Sequence, residues 1–180
     1  SGKTSIVRAL QDMLEEPYIE AGIDKFIWML PHRYLDRPLW DDILGLANQA
    51  GELGHQLVKG MHRTAEVLSN TGMNVIIDHV LVERTWWQDC VVRFSELPAY
   101  LIGVRCPLEI LEEREKARKN RTLGQARLQY DIVHGKGIYD LEVYTAIFTA
   151  EECARKIKER VNSVDPPSAL KLLTATYSIL

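Results

Sequence analysis

At 180 residues the chain fits one domain, long enough to bury roughly two-thirds of the surface its unfolded form exposes without help from disulfides. With 46% hydrophobic and 26% charged residues it sits among ordinary soluble globular domains, which excludes the disordered and fibrous classes. The formal net charge of -3 and the lack of a long basic run argue against nucleic acid as a partner, and no apolar stretch reaches the roughly 20 residues of a membrane span.

The chain opens on Ser1-Gly2-Lys3-Thr4-Ser5 and passes directly into a helical pattern over residues 4–15. This matches the end of the GxxxxGK[ST] phosphate loop and the start of its helix, while the strand and the first glycine that precede them in the motif are absent from the sequence. In that motif backbone N–H groups at the helix start hold phosphate oxygens, the lysine reaches the β- and γ-phosphates, and the hydroxyl residue binds magnesium. Those roles fall on Gly2, Lys3 and Thr4, with Ser1 and Ser5 flanking them. The tetrapeptide alone also reads as a plain helix cap; its place ahead of a series of strands and helices favours the loop.

A strand is predicted over residues 18–23, closed by Asp24, and a helix over roughly 41–70 follows. The next strand, within residues 73–80, carries Val75, Ile76 and Ile77 in a row, the pattern of a strand buried on both faces, and so belongs at the centre of the sheet. Helix 84–95, strand 99–104, helices 108–119 and 124–134, strand 139–144 and helix 149–162 complete the series. Thr149, three residues ahead of Glu152, has the spacing of a capping box. Alternating strands and helices predict an α/β fold with a mostly parallel sheet. The domain is expected to span residues 1–164. After Asp165-Pro166-Pro167, residues 165–180 return to an apolar segment that reads either as an extra packed helix or as a disordered tail.

Cys90, Cys106 and Cys153 are odd in number and lack CxxC spacing, which argues against a zinc site or a disulfide framework and suits a reducing, cytoplasmic setting. No signal for an oligomeric state is visible. Phosphoryl transfer needs a carboxylate to orient or deprotonate the acceptor and an acidic group near magnesium. Asp24 and Asp78 both close predicted strands, at the edge where open α/β sheets bind ligands; each reads about equally well as a turn or helix cap. His79, beside Asp78, reads as a strand-end histidine without chemistry. Arg114, Arg118 and Arg121 would share one helix face, where guanidinium forks match a transferring phosphoryl group and imply a mobile lid. The plainer alternative is a solvated face paired with Glu112, Glu113 and Glu115. Trp28, four residues past Asp24, is placed to line an acceptor pocket.

Five blocks together resemble a known family: SGKTSIVRALQ, GIDKFIWMLP, VIIDHV, IGVRCPLEILEEREKARKNR and YDIVHGKGIYDLEVYT. The chain resembles the chloramphenicol phosphotransferase-like P-loop kinases over residues 1–162, within the wider nucleoside-monophosphate and shikimate kinase group. The resemblance implies a three-layer fold lacking its first strand here, and magnesium-dependent transfer from ATP to a hydroxyl of a small molecule. It also implies Asp24 as catalytic base, Lys3 and Thr4 at phosphate and magnesium, Asp78 as the strand-end acidic group, and Arg114, Arg118 and Arg121 as lid arginines. Adenine is expected near residues 146–148 and Arg105 or Arg118. With half the loop absent, the chain as written is expected to bind nucleotide weakly. His79 stands where the compared member has a second acidic residue, and residues 32–60 differ, so the acceptor is not carried over. Two alternatives stay open. One is a nucleotide-binding module without transfer; the other is a nucleoside-monophosphate or sugar-nucleotide kinase, for which His32, Arg33, Arg37, Lys59 and Arg63 would meet a phosphorylated acceptor.

Overall fold

The first helix, α1 (Lys3–Met13), buries Ile6, Val7 and Leu10 on one face and ends at Leu14, whose extended backbone leads to Pro17, a residue that cannot continue a helix. In the computed structural model, residues 2–35, 50–117, 123–135 and 137–177 are described. The chain continues through β1 (Tyr18–Glu20), α2 (Ile23–Ile27) and a 3-10 turn at His32–Tyr34. Next come α3 (Glu52–Asn70), β2 (Asn74–Ile76), α4 (Arg84–Phe94) and β3 (Ile102–Arg105). The remaining elements are α5 (Leu108–Ala117), α6 (Gln125–His134), β4 (Leu141–Tyr144), α7 (Ala150–Val161) and α8 (Ala169–Tyr177).

The fold is mixed α/β with short parallel strands. β1 pairs with β2 in the register Tyr18↔Asn74, Ile19↔Val75, Glu20↔Ile76, and β3 pairs with β4 from Ile102↔Leu141 to Arg105↔Tyr144. Parallel neighbours need a helical crossover, and α3 and the α5–α6 segment supply the two. One core lies among α3, α4 and α8, around Val58, Met61, Trp86, Val91 and Leu173; a second lies among α1, β4 and α7, around Ile6, Leu10, Val143, Cys153 and Ile157. Among the described residues no helix is long and apolar enough to cross a membrane.

Each predicted strand contains a real one, but every one is shorter than predicted. The run 18–23 stops at Glu20, because Gly22 turns the chain and Ile23 already belongs to α2; Asp24 therefore sits in the first turn of a helix and does not close a strand. β2 likewise covers three residues, and residues 74–77 are half-buried, not buried on both faces. The cause is that β2 has a strand partner on one side only among the described residues, and β3 the same; a cavity of about 500 Å³ is lined by residues of both. The helix predicted over 41–70 is observed as α3, and residues 41–49 lie outside the described residues. Residues 118–119 of the predicted helix 108–119 do so too.

The capping box at α7 is borne out: Glu152 N–H donates to Thr149 Oγ1 at 3.2 Å, and Thr149 N–H donates to Glu152 Oε2 at 2.8 Å. Within residues 165–180, α8 is a packed helix. Its N-terminus is held by the Asp140 carboxylate, whose Oδ1 accepts from Ser168 N at 2.7 Å and Ala169 N at 3.0 Å while Oδ2 accepts from Leu101 N at 2.9 Å. At its other end Tyr177 stacks on Trp87 with ring centroids 5.5 Å apart.

Candidate functional site

α1 begins at Gly2, whose φ of +90° is a left-handed conformation that favours glycine. A Cβ there would lie 3.6 Å from Thr145 Cγ2 and 3.9 Å from Arg114 Nη1, so the turn backs directly onto those two side chains. First-turn N–H groups of an α-helix have no partner within the helix and face along its positive dipole end, a geometry suited to anions. Thr4, in that first turn, donates from Oγ1 to Asp78 Oδ2 at 2.9 Å, and Lys3 Nζ lies 3.8 Å from Asp78 Oδ1. Lysine, hydroxyl and carboxylate thus converge from α1 and from the end of β2. Ser5 is exposed on α1 beside them, and Ser1 lies outside the described residues.

The β1–α2 turn reaches the same edge. At Gly22 a Cβ would stand 3.3 Å from Asp78 Cβ and 3.2 Å from its carbonyl oxygen, so close an approach that a side chain there would displace Asp78. Two residues on, Asp24 is exposed at the start of α2. Glu20, which sequence reasoning missed, places a further carboxylate here, with Oε2 3.4 Å from Lys25 Nζ. Its signal was available: it ends β1 opposite Ile76, two residues before Asp78. Lys25 Nζ also lies 5.3 Å from the ring centroid of Trp28, and Trp28 and Met29 are 57% and 71% exposed, leaving an uncovered apolar platform one turn beyond Asp24.

The arginines part company. Arg114 donates to the Thr145 carbonyl at 2.9 Å, to Thr145 Oγ1 at 3.1 Å and to Cys106 Sγ at 3.6 Å, which fixes its guanidinium against the back of the Gly2 turn. It does not join a glutamate-paired solvent face. Glu112 instead pairs with Arg127 at 2.7 Å, and buried Glu115 accepts from the Gly124 and Ala126 N–H groups at 2.8 and 2.9 Å, which caps α6. Arg118 and Arg121 lie outside the described residues. Arg105 pairs with Glu142, Nε to Oε1 at 2.7 Å, and lies over the Tyr139 ring at 5.5 Å. Thr145, like Glu20, escaped the sequence reading, although it directly follows a strand.

A hard cation such as magnesium takes oxygen ligands and keeps several waters. The Thr4 hydroxyl and Asp78 carboxylate are donors of that kind, and among the described residues no group of three or more His, Cys, Asp or Glu gathers around a metal position. The residues present fit a cation that draws most of its ligands from phosphate and water.

A family described as chloramphenicol phosphotransferase-like protein matches residues 1–162. The chain belongs to the chloramphenicol phosphotransferase-like family. Two Mycobacterium tuberculosis proteins, from strains CDC 1551 / Oshkosh and H37Rv and provisionally named O-phosphotransferases, are each 32% identical to it over 190 residues, spanning 98% of this chain and 84% of the relative. In this family member the converged Lys3, Thr4, Asp78 and Arg114 all fall inside the matched residues.

Beside Asp78 the chloramphenicol phosphotransferase-like chain places two imidazoles, the fully buried His62 and the half-buried His79, whose ring nitrogens are both out of contact with solvent. Burial holds the His79 pKa well below the usual 6.5, and a proton on His62 or the charge of Lys3 lowers it further; burial also lowers His62, against the opposing pull of Asp89. Both rings are neutral when folded and regain an ordinary pKa on unfolding, so below pH 6.5 the unfolded chain binds more protons. Stability is then full above that pH and falls as pH drops from it towards the folded values. Each ring adds a slope of up to about 1.4 kcal/mol per pH unit. Urea melts from about pH 8 to about pH 5 should show a level midpoint that declines in the acid half, and His79→Gln should flatten the decline. An unchanged profile in that variant would remove His79 from the linkage.

Proposed function

We propose that the chain is the body of an ATP-dependent phosphotransferase that moves the γ-phosphoryl group to a hydroxyl of a small molecule. The observation that carries this is the meeting of Thr4 and Lys3 with Asp78 at the helix N-terminus, the residue types and spacing of a P-loop with its strand-end carboxylate. Lys3 and the N–H groups after Gly2, flanked by Ser1 and Ser5, hold phosphate oxygens; Thr4 and Asp78 hold magnesium. When bound, the magnesium–ATP pair supplies the phosphoryl group and neutralises charge on it. Asp24 takes the acceptor proton. Arg114, steadied by Thr145, lies behind the phosphate turn, and Arg118 and Arg121 meet the transferring group from the lid. Arg105 is assigned to the adenine side, together with residues 146–148.

A three-layer sheet completed by one more parallel strand, leading into Gly2 with the first half of the phosphate loop, is part of this reading; the cavity lined by residues of both β2 and β3, each with one strand partner among the described residues, supports it. The setting is cytoplasmic and the acceptor a small molecule. The test is ATP consumption by the complete protein against hydroxylated antibiotics, sugars, nucleosides and nucleotides, with the product identified by mass. Acceptor-dependent ADP release with a phosphorylated product is expected. Tight ATP binding with no turnover on any acceptor class would instead make the chain a nucleotide-binding module.

A further inference from the structure

Along β2 the side chains alternate between two layers. Val75 and Ile77 pack on the core of α3, α4 and α8, while Ile76 packs on the core of α1, β4 and α7. The alternation carries past the strand. Asp78 turns to Thr4 of α1, and His79 turns the other way, edge to face with His62 at 5.1 Å and stacked on Trp86 at 5.7 Å. β2 therefore offers the phosphate edge one carboxylate. Its neighbour β1 offers a second, because the parallel register sets Glu20 opposite Ile76 and so on the α1 side of the pair, two residues short of Asp78.

Glu20 is held more closely than a solvated side chain would be, with 18% of it exposed. Its Oε2 lies 3.4 Å from Lys25 Nζ, the one ion-pair partner of this carboxylate among the described residues. Its Oε1 lies 3.7 Å from where a Cβ on Gly22 would stand, and that same point is 3.3 Å from Asp78 Cβ. Gly22 thus leaves a gap the size of a methyl group between the two acidic side chains. Covering a carboxylate costs hydration, and two carboxylates beside one gap repel, so the arrangement wants donors and positive charge there. Lys3 and Thr4 serve Asp78 and Lys25 serves Oε2, whereas Oε1 has no donor among the described residues. A hard divalent cation held by Thr4 and Asp78 keeps several waters, and those waters are donors.

We propose that Glu20 is a positioning residue of the magnesium site, its Oε1 accepting from water on the cation that Thr4 and Asp78 hold, with Lys25 as the counter-ion that occupies Glu20 from the other side. The inference rests on the magnesium pair of the proposed function and adds to it a residue from another strand. Outer-shell acceptors of this kind orient a metal's ligands, and their loss costs about 10- to 100-fold in metal affinity. Because Lys25 competes for the same carboxylate, the two halves of this ion pair act on the metal in opposite senses. A pair that merely braced the β1–α2 turn would give the same effect from either half.

The experiment is equilibrium binding of a non-hydrolysable ATP analogue to the complete protein with and without Mn²⁺, the ratio of the two affinities being the metal's share. Glu20→Gln keeps the size of the side chain and drops its charge; it is expected to cut that ratio by about tenfold or more and to leave metal-free affinity within about twofold. Lys25→Met is expected to hold the ratio or raise it. A ratio in Glu20→Gln equal to that of the unaltered protein overturns the assignment and leaves the magnesium pair standing. So does a fall of the ratio in Lys25→Met, which decides the matter by itself if Glu20→Gln does not fold. Unaltered protein that binds the analogue no better with Mn²⁺ than without removes the magnesium pair, and the place of Glu20 beside it goes too.

Discussion

In the complete protein, Asp24→Asn is expected to lower acceptor-dependent turnover by about 10²-fold or more, with ATP affinity held within about twofold. Asparagine keeps the size and much of the hydrogen-bonding capacity of the side chain but cannot take a proton at neutral pH. Two features support the proposed role. Gly22 allows the β1–α2 turn to lie against Asp78, and Asp24 stands exposed at the start of α2 two residues later. Steady-state kinetics with a fluorescent nucleotide titration separate the outcomes. Unchanged kcat with a raised KM would make Asp24 a binding group; unchanged kinetics throughout would pass the proton-accepting role elsewhere, with Glu20 the nearest carboxylate along β1. Loss of nucleotide affinity in step with kcat would show that Asp24 acts through Asp78.

The alternation of elements was readable because buried strands in a parallel fold are short apolar runs between helical periods, and all four candidate runs contain a strand. Their ends were not readable. In YIEAGI the apolar residues continue past Glu20, yet the chain turns into α2 at Gly22, where it lies against Asp78, 56 positions away in sequence. Asp78 and Arg114 were visible from motif position, although the partners that hold Arg114, Thr145 and Cys106, come from the segments after β4 and β3. His79 looked inert as a strand-end residue; its interest comes from burial beside His62, which local sequence does not encode. The same holds for Asp140, one carboxylate that joins the start of β3 to the start of α8.

Leu173→Ala is expected to lower unfolding free energy by about 2–5 kcal/mol, the range for a buried leucine whose cavity cannot fully collapse. Leu173 is 0% exposed and lies on α8, beyond the residues that match the family. Collapse around the lost side chain is opposed from both ends of the helix, by Asp140 bridging its N-terminus to Leu101 and by Tyr177 stacked on Trp87. Lys171→Ala, an exposed substitution on the same helix, should change stability by about 0.5 kcal/mol or less. Paired urea melts read both variants. If Leu173→Ala costs no more than its exposed neighbour, α8 is an appendage and the domain ends before it. A large difference makes the helix part of the core that holds α4, and through the α3–α4 core His62 and the wall of the cavity, in place.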